Sequence, residues 1–501
     1  MLIDDAGRRL SVEVSEPCSV LDVLQAQRVD IRATCGGVGK CGRCQVLVRD
    51  DEGLNYRLAC MTPVSDGMEV VVERAGIMEV LQSGTSQAFR PDADAEGFGM
   101  AVDIGTTTVV AHLHDLKSGE RLATVGRSNP QIAFGSDVIS RISASVDGKL
   151  DLMMGVIQDA LRDMKVKLCD EAGVPRDEVR YVTIAGNTVM QHIAVGLPPD
   201  TIGVNPFTPL SLFGDEYEID GLGRCRLTRC IAGYVGGDIT AGMLACGLDA
   251  GGTRLFLDLG TNGEMALAAN GRIVCCATAA GPVFEGANVH FGMPASPGAI
   301  SKVAFVDGKI ELNVVGDASP IGICGTGLID AVALMVKLGA VDETGRLLDA
   351  DECDESIAHF IGCENDGNVF YLTDDHSVYL TQTDVRNLQL AKAAVCAGIH
   401  TMADAANIAM SDIETLEIAG GFGAYLDLAS AAAIGLFPAE LLPCAKSVGN
   451  TSGEGATALL LSSEARERES VIAEKCDYLE LSTSSEFNEF YIEMMEFEEG
   501  E

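Results

Sequence analysis

Ala101-Val102-Asp103-Ile104-Gly105-Thr106-Thr107-Thr108 reads as a short apolar strand that ends in a carboxylate and turns through a glycine into a row of hydroxyls. Such a turn suits phosphate. Gly105 lets backbone approach a ligand closely, the N–H groups and hydroxyls of Thr106, Thr107 and Thr108 can donate to phosphate oxygens, and Asp103 is placed to hold Mg²⁺ or its water. Alone, Asp-x-Gly-Thr is also an ordinary turn between strands. Here it is repeated: Leu257-Asp258-Leu259-Gly260-Thr261-Asn262-Gly263-Glu264 again runs from apolar strand through Asp and Gly to Thr. Both copies continue into a second strand and a glycine turn, at Ser118-Gly119 and at Asn270-Gly271. Two similar halves, the second beginning near residue 253, predict a nucleotide cleft between related domains. A third stretch, Leu416 to Ala424, is a buried-type strand opening into a glycine-rich turn. There Gly420, Gly421 and Gly423 offer bare backbone to an adenine and ribose.

The 501 residues, 47% of them hydrophobic, suffice for two to four domains with ample cores. No apolar run approaches the ~20 residues of a membrane helix, and the first residues lack a basic then apolar leader, so the expected address is the cytoplasm. With 35 basic against 74 acidic residues the net charge is −39, which disfavours nucleic acid and anionic membranes as partners. The seventeen cysteines are expected to be reduced thiols, most of them scattered core or surface residues. Cys225 and Cys230 have no second pair nearby, and the seven histidines form no metal or nucleophile pattern.

One group of cysteines is different. Cys35, Cys41 and Cys44 lie on the Gly-rich stretch 35–44, and Cys60 comes after it. Four thiolates so spaced can wrap a two-iron cluster, because glycines let backbone N–H groups turn inward toward the sulfides. Zinc is the alternative, but four-cysteine zinc sites usually pair two C-x-x-C knuckles and this stretch has one. Residues 1 to 74 read as a small β-rich domain around this loop, with strand-like patterns at 10–14 and 68–72 and a helix start at 19–24. Residues 75–98 read as a polar linker that lets the redox module move. The nucleotide region spans 99–465, and an acidic segment over 466–501 has a packed first part and ends in the carboxylates of Glu496 to Glu501.

Several single residues carry expectations. Ser136 is read as the cap of a helix turning Val138, Ile139 and Ile142 inward; Thr383 or Asp384 as the cap of a long helix through Ala394. Lys392 on that helix is read as solvated rather than facing nucleotide. Asp238, in Gly233-Tyr234-Val235-Gly236-Gly237-Asp238, is the candidate for orienting an attacking water or nucleophile, with a helix N-cap as the other reading. Cys324, among the small residues 322–330, is read as packing.

The two hairpins and the glycine turn, in this order, resemble the phosphate-one, phosphate-two and adenosine motifs of the acetate and sugar kinase, heat-shock chaperone and actin superfamily. The segment around Cys35 to Cys60 resembles [2Fe–2S] ferredoxin domains of the plant and adrenodoxin kind. A ferredoxin domain ahead of such an ATPase is similar to the reductive activators of corrinoid proteins. Further marks are Asn129 to Ile142, Gly322 to Asp330, Gln389 to Ala394, Ile418 to Gly423 and Phe487-Asn488-Glu489. Fuller members carry an extra domain between the redox and ATPase parts, where residues 75–98 leave room only for a short linker.

The resemblance implies a multidomain α/β chain: a β-grasp ferredoxin-like α+β domain, then a two-lobed actin-like ATPase with duplicated ribonuclease-H-like halves. It implies a [2Fe–2S] cluster, ATP and Mg²⁺ as cofactors, and ATP-dependent reduction of cob(II)alamin to cob(I)alamin on a corrinoid protein of a methyltransferase system. A low-potential electron donor is needed, and a homodimer is among the assemblies it allows. Three alternatives stand beside it: an activator of a radical or 2-hydroxyacyl-CoA dehydratase, a small-molecule kinase with a redox domain, and a non-enzymatic ATP-gated redox sensor.

Overall fold

The computed structural model describes residues 1–5, 8–14, 17–50, 53–72, 84, 86–364, 367–421 and 423–497. Most of the expected linker (75–83 and 85), Phe422 of the adenosine turn and the last four residues of the acidic tail lie outside the described residues. The chain divides into two compact units, one comprising Met1–Val80, Phe89–Asp238 and Ala456–Ser463, the other Leu81–Ala88, Ile239–Gly455 and Glu464–Glu501.

In the first unit, a five-stranded sheet has the order Arg8–Ser11, Leu2–Asp5, Glu69–Val72, Gln45–Asp50, Gly53–Leu58. Its central pair, Leu2–Asp5 and Glu69–Val72, is parallel, as in a β-grasp. The helix Val20–Ala26 covers one face and buries Val20, Leu21, Val23 and Leu24; it starts because Ser19 and Asp22 form a reciprocal capping box. The expected strand over 10–14 ends at Ser11.

Beside this domain lies a six-stranded sheet ordered Glu216–Ile219, Gly223–Leu227, Val179–Gly186, Phe98–Ile104, Thr108–Asp115, Arg121–Ser128. Three consecutive strands form an antiparallel meander, and Val179–Gly186 joins Phe98–Ile104 in parallel. The helix Leu150–Ala172 packs over the meander through Met153, Ile157, Leu161, Met164 and Leu168.

The second unit repeats the plan. Its sheet runs Ala445–Gly449, Thr415–Ala419, Arg254–Leu259, Gly263–Ala269, Arg272–Thr278, Cys476–Tyr478, again a meander flanked by parallel strands. The Asn270-Gly271 turn has positive φ at both residues (53° and 77°), as a tight hairpin between twisted strands requires. These are the duplicated halves of an actin-like ATPase, placed after a ferredoxin-like domain.

Four local expectations are corrected. Asp137, not Ser136, caps the helix Val138–Ala144, accepting from Ser140 N–H at 2.8 Å; Ile139 points outward and is 51% exposed. The long helix Gln382–Ala406 starts one or two residues before the expected cap, because Thr381 and Asp384 form the capping box. Lys392 is buried rather than solvated: its ammonium donates to the Glu496 carbonyl and lies 4.8 Å from the Phe497 ring centroid. The tail that supplies those groups packs along the same helix through Ser485–Glu493, where the Phe490 ring stacks on His400.

The fourth correction concerns the redox module, which is seated on the first half rather than standing apart. Arg28 pairs with Asp159, Lys149 donates to Gln25 Oε1 at 2.9 Å, and Gln25 Nε2 donates to the Ala133 carbonyl. Ser136 binds the Thr34 carbonyl. Gln25, on the last turn of the short helix, is buried by this contact.

Candidate functional site

The thiol loop is built from left-handed backbone. Gly36, Gly37, Gly39 and Gly42 all have positive φ, at 65°, 97°, 78° and 66°, a backbone that favours glycine at each. Cys44 is buried, Cys35, Cys41 and Cys60 are half-buried, and the Cys44 and Cys60 sulfurs stand 3.4 Å apart. Burial pushes the Cys35 thiol up, but hydrogen bonds from the Cys41 amide and thiol and from the Lys40 and Gly37 amides outweigh it and bring it down to about 6. Cys60 goes the other way, to about 11, through burial and its thiol contact with Cys44. Amides converging on thiolates are what an anionic iron–sulfur cluster needs, so the loop fits a [2Fe–2S] group. Among the described residues no group of three or more His, Cys, Asp or Glu side chains is drawn together as for one metal ion.

The first phosphate hairpin is held from outside. Asp103, half-buried, is the next-to-last residue of the strand Phe98–Ile104, pairing in register with Ala185, and Gly186 is next on the neighbouring parallel strand. A Cβ on Gly105 would lie 2.9 Å from the Thr108 carbonyl, so the tight turn requires its absence. Asn129 donates from Nδ2 to the Gly105 carbonyl and from its backbone N–H to the Thr107 carbonyl, both at 2.8 Å. The Arg141 guanidinium, fully buried, donates to the Thr106 carbonyl, to the Gly135 carbonyl at 3.1 Å and to Gln131 Oε1 at 3.3 Å. Asn187 caps the helix Thr188–Ala194 and donates to the Thr106 hydroxyl at 3.1 Å. With their carbonyls occupied behind them, the threonines present their half-buried side.

Asn129, Arg141 and Asn187 are thus supports of the hairpin, a role that reading the sequence did not give them. The signals for them were that Asn129 to Ile142 carried part of the resemblance and that 186–190 read as a turn into a helix at the first connecting segment. Asp238 lies in the first turn of the helix Gly237–Cys246, inside the helix rather than at its N-cap. Its Oδ1 is 2.7 Å from where a Gly236 Cβ would stand, and that Cβ would also lie 2.7 Å from the Thr188 amide; Asp238 therefore shares the turn region of Asn187 and Thr188.

In the second unit, Asp258, half-buried, is the next-to-last residue of its strand and lies beside Ala419, from which the parallel strand leads into Gly420. Gly420 has φ 98°, and a Cβ there would fall 2.4 Å from the Leu259 carbonyl and 2.9 Å from Asp258 Oδ1. The carboxylate and the glycine turn are therefore adjacent. Gly260 N–H donates to the Asn262 carbonyl at 3.0 Å, Thr261 Oγ1 to Glu285 Oε1 at 3.0 Å, and Asn262 Nδ2 to Glu264 Oε1 at 3.3 Å. Gly263 begins the next strand. Gly421 is exposed with open space where a Cβ would stand, and Gly423 begins a one-turn helix over Ile418.

A ferredoxin-like loop joined to duplicated actin-like halves defines the class: an iron–sulfur protein with an ATPase of the acetate and sugar kinase, heat-shock chaperone and actin type. Models of known families divide the chain accordingly. A 2Fe-2S iron-sulfur cluster binding domain matches residues 3–65, the RACo middle region matches 98–251, and the C-terminal ASKHA domain of RACo matches 252–501. Corrinoid activation enzyme RamQ of Eubacterium limosum is 30% identical, with 96% of each chain covered. The [Co(II) methylated amine-specific corrinoid protein] reductase of Methanosarcina barkeri is 27% identical over 79% of this chain and 76% of its own. A solved reductive activator for a corrinoid, iron-sulfur protein is 28% identical, superposes with a TM-score of 0.71 and covers 100% of this chain and 98% of its own. The chain belongs to this family of corrinoid-protein activators. It carries a [2Fe–2S] cluster-binding domain and an ATP-binding ASKHA domain, and no described helix is long and apolar enough to cross a membrane.

Proposed function

We propose that this protein reduces cob(II)alamin on a corrinoid protein of a methyltransferase system to cob(I)alamin, using ATP and a low-potential electron donor. The observation that carries the reading is the union, in one chain, of a thiol loop with inward amides and two phosphate hairpins. Cys35, Cys41, Cys44 and Cys60 would hold the cluster, which when bound supplies one-electron carriage near a plant-type potential of about −400 mV. Reducing a lower-potential cobalt is uphill by about 1.4 kcal/mol for each 59 mV. ATP supplies a bias if the nucleotide-bound protein prefers a corrinoid partner whose cobalt has lost its lower ligand, since differential affinity shifts that partner's population.

Each residue has a task in this scheme. Asp103 and Asp258 hold Mg²⁺ or its waters, the amides of Gly105 to Thr108 and Gly260 to Gly263 receive phosphates, and Gly420, Gly421 and Gly423 line the adenosine. Asp238 orients the attacking water. A reducing cytoplasm, where cysteines outside a cluster stay thiols, is the address we propose, and neither nucleic acid nor membrane is a partner at a net charge of −39. A homodimer is the assembly we propose.

The test offers the full-length protein a low-potential reductant and a corrinoid protein from the same cell, and tracks cobalt by its absorption spectrum. Cob(I)alamin should accumulate only when MgATP is present. Phosphorylation of glycerol, xylulose or acetate without cobalt reduction would replace this reading with a kinase.

A further inference from the structure

The segment 129–141 grips the phosphate hairpin at its ends and the thiol loop in its middle. On the hairpin side stand the bonds from Asn129 to the Gly105 and Thr107 carbonyls and from Arg141 to that of Thr106. On the loop side, Ser136 donates both its N–H and its hydroxyl to the Thr34 carbonyl, at 3.1 and 3.0 Å. Ala33 N–H donates to the Ile132 carbonyl at 3.4 Å, and the Gln25 amide reaches the Ala133 carbonyl. A Cβ on Gly36 would stand 3.4 Å from the Phe134 carbonyl. Thr34 and Gly36 flank Cys35 directly.

Between these grips the chain has little room to yield. Gly135 sits at φ 147°, where a Cβ would fall 2.2 Å from that of Ser140, and its carbonyl is taken by Arg141 Nε. One guanidinium therefore ties Thr106 of the hairpin to Gly135, and the next residue ties to Thr34. Two hydrogen-bonded residues thus stand between the hairpin carbonyls and a cysteine's neighbour.

We infer that Arg141 and Ser136 are positioning residues that couple occupancy of the first phosphate hairpin to the setting of the thiol loop, so that ATP adjusts the cluster as well as the partner. This rests on the nucleotide and cluster readings above. A cluster's potential responds to hydrogen bonds and solvent at its sulfurs, and Cys35 receives several amides whose direction depends on its flanking backbone. Coupling between binding equilibria is reciprocal: if ATP shifts reduction, reduction shifts ATP affinity by the same factor.

That reciprocity gives the test. Affinity of the full-length, cluster-loaded protein for a non-hydrolysable ATP analogue is measured with the cluster oxidised and with it reduced by dithionite. The expected ratio of dissociation constants is about tenfold, which corresponds to about 59 mV for one electron. In Ser136→Ala, which loses the hydroxyl bond and keeps the N–H one, the ratio should fall at least twofold while cluster content and oxidised-state affinity stay parental, and Ser136→Thr should restore it. Gln25→Ala, on the opposite side of the same contact, should lower it too and serves if Ser136→Ala does not fold. Amide exchange at 33–36 should slow on nucleotide binding in the parental protein alone. A ratio of one with nucleotide bound overturns the coupling and leaves the nucleotide reading standing. A tenfold ratio that survives both substitutions overturns the role of this contact. Absence of nucleotide binding in either state removes the hairpin reading itself.

Discussion

The two halves use one device and support it differently. In each, Asp is the next-to-last residue of a strand that turns through Gly and Thr, and the parallel neighbour leads into a glycine: Asp103 beside Ala185-Gly186, Asp258 beside Ala419-Gly420. The glycines do the same work, since a Cβ on Gly186 would meet the Ile104 carbonyl at 2.9 Å and one on Gly420 the Leu259 carbonyl at 2.4 Å. The residues just past them differ. After Gly186 comes Asn187, which caps a helix and holds Thr106; after Gly420 comes Gly421, with open space beside it. The first hairpin is braced by Asn129 and Arg141 from a segment that also carries the thiol loop, whereas the second leans on its own half through Glu264 and Glu285. The two halves thus share one hairpin design, and the first copy is tied to the redox domain while the second has open space beside its glycine turn.

The largest effects should come from what the halves share. Asp103→Asn and Asp258→Asn should each lower ATP hydrolysis by more than about a hundredfold through lost metal charge, with the visible spectrum of the cluster unchanged. Chelation of Mg²⁺ should reproduce the loss. A parental rate in either variant would mean that its half does not take the metal-phosphate group.

The next effect should separate the halves. Arg141→Met removes a buried cation and takes its donors away from the Thr106 and Gly135 carbonyls, while Gln131 Oε1 keeps the bond from Asn129. A loss of about 2–3 kcal/mol is expected by urea unfolding, from buried acceptors left without their charged donor. A loss under about 1 kcal/mol would show that the network carries little.

The duplicated hairpins were legible because their signal is local: an apolar run, a carboxylate, a glycine and hydroxyls lie within eight residues. The thiol loop was legible for the same reason. The supports were not. Asn129, Arg141 and Asn187 act on carbonyls and hydroxyls that lie 24, 35 and 81 residues away in sequence, and nothing local marks a guanidinium as buried. Lys392 misled because its partners, Glu496 and Phe497, come from the far end of the chain. Ile139 misled because the helix Val138–Ala144 is too short for its apolar positions to define one face. The seating of the redox module depended on Gln25 and Ser136, polar residues that look solvated until their acceptors are known.

A smaller effect should distinguish the two residues after the glycines. Asn187→Ala loses a helix cap and the Thr106 contact and should cost about 1–2 kcal/mol of stability, with weaker nucleotide binding as a consequence. Gly421→Ala meets nothing and should change stability by less than about 0.5 kcal/mol, yet weaken nucleotide affinity several-fold by occupying the space beside the turn. Equal stability losses in the two variants would remove the distinction between a braced and a bare turn.

The smallest effect is a pH dependence that the first half carries through buried histidines, with His400 of the second half, also held down by burial, adding in the same direction. On its second strand His112 and His114 are buried, while the positions in equivalent register in the second half carry Ala266 and Ala268. Burial, then the charges of Arg121 and His114, hold the His112 imidazole down to about 3. The unfolded chain takes up that proton near pH 6.5 and the folded chain does not until about pH 3. Stability from this group is therefore complete above about pH 6.5 and declines as pH falls through the interval down to 3. Between pH 7 and 6 the change is under about 1 kcal/mol, because the unfolded imidazole is only partly protonated there. His192, also held down by burial against its bond to the Thr188 carbonyl, adds in the same direction. Urea unfolding at pH 7 and pH 6 should therefore show a loss in the parental protein that is smaller in His112→Leu. If the two proteins lose stability equally over that step, His112 is not the proton acceptor and the acid sensitivity belongs to other residues.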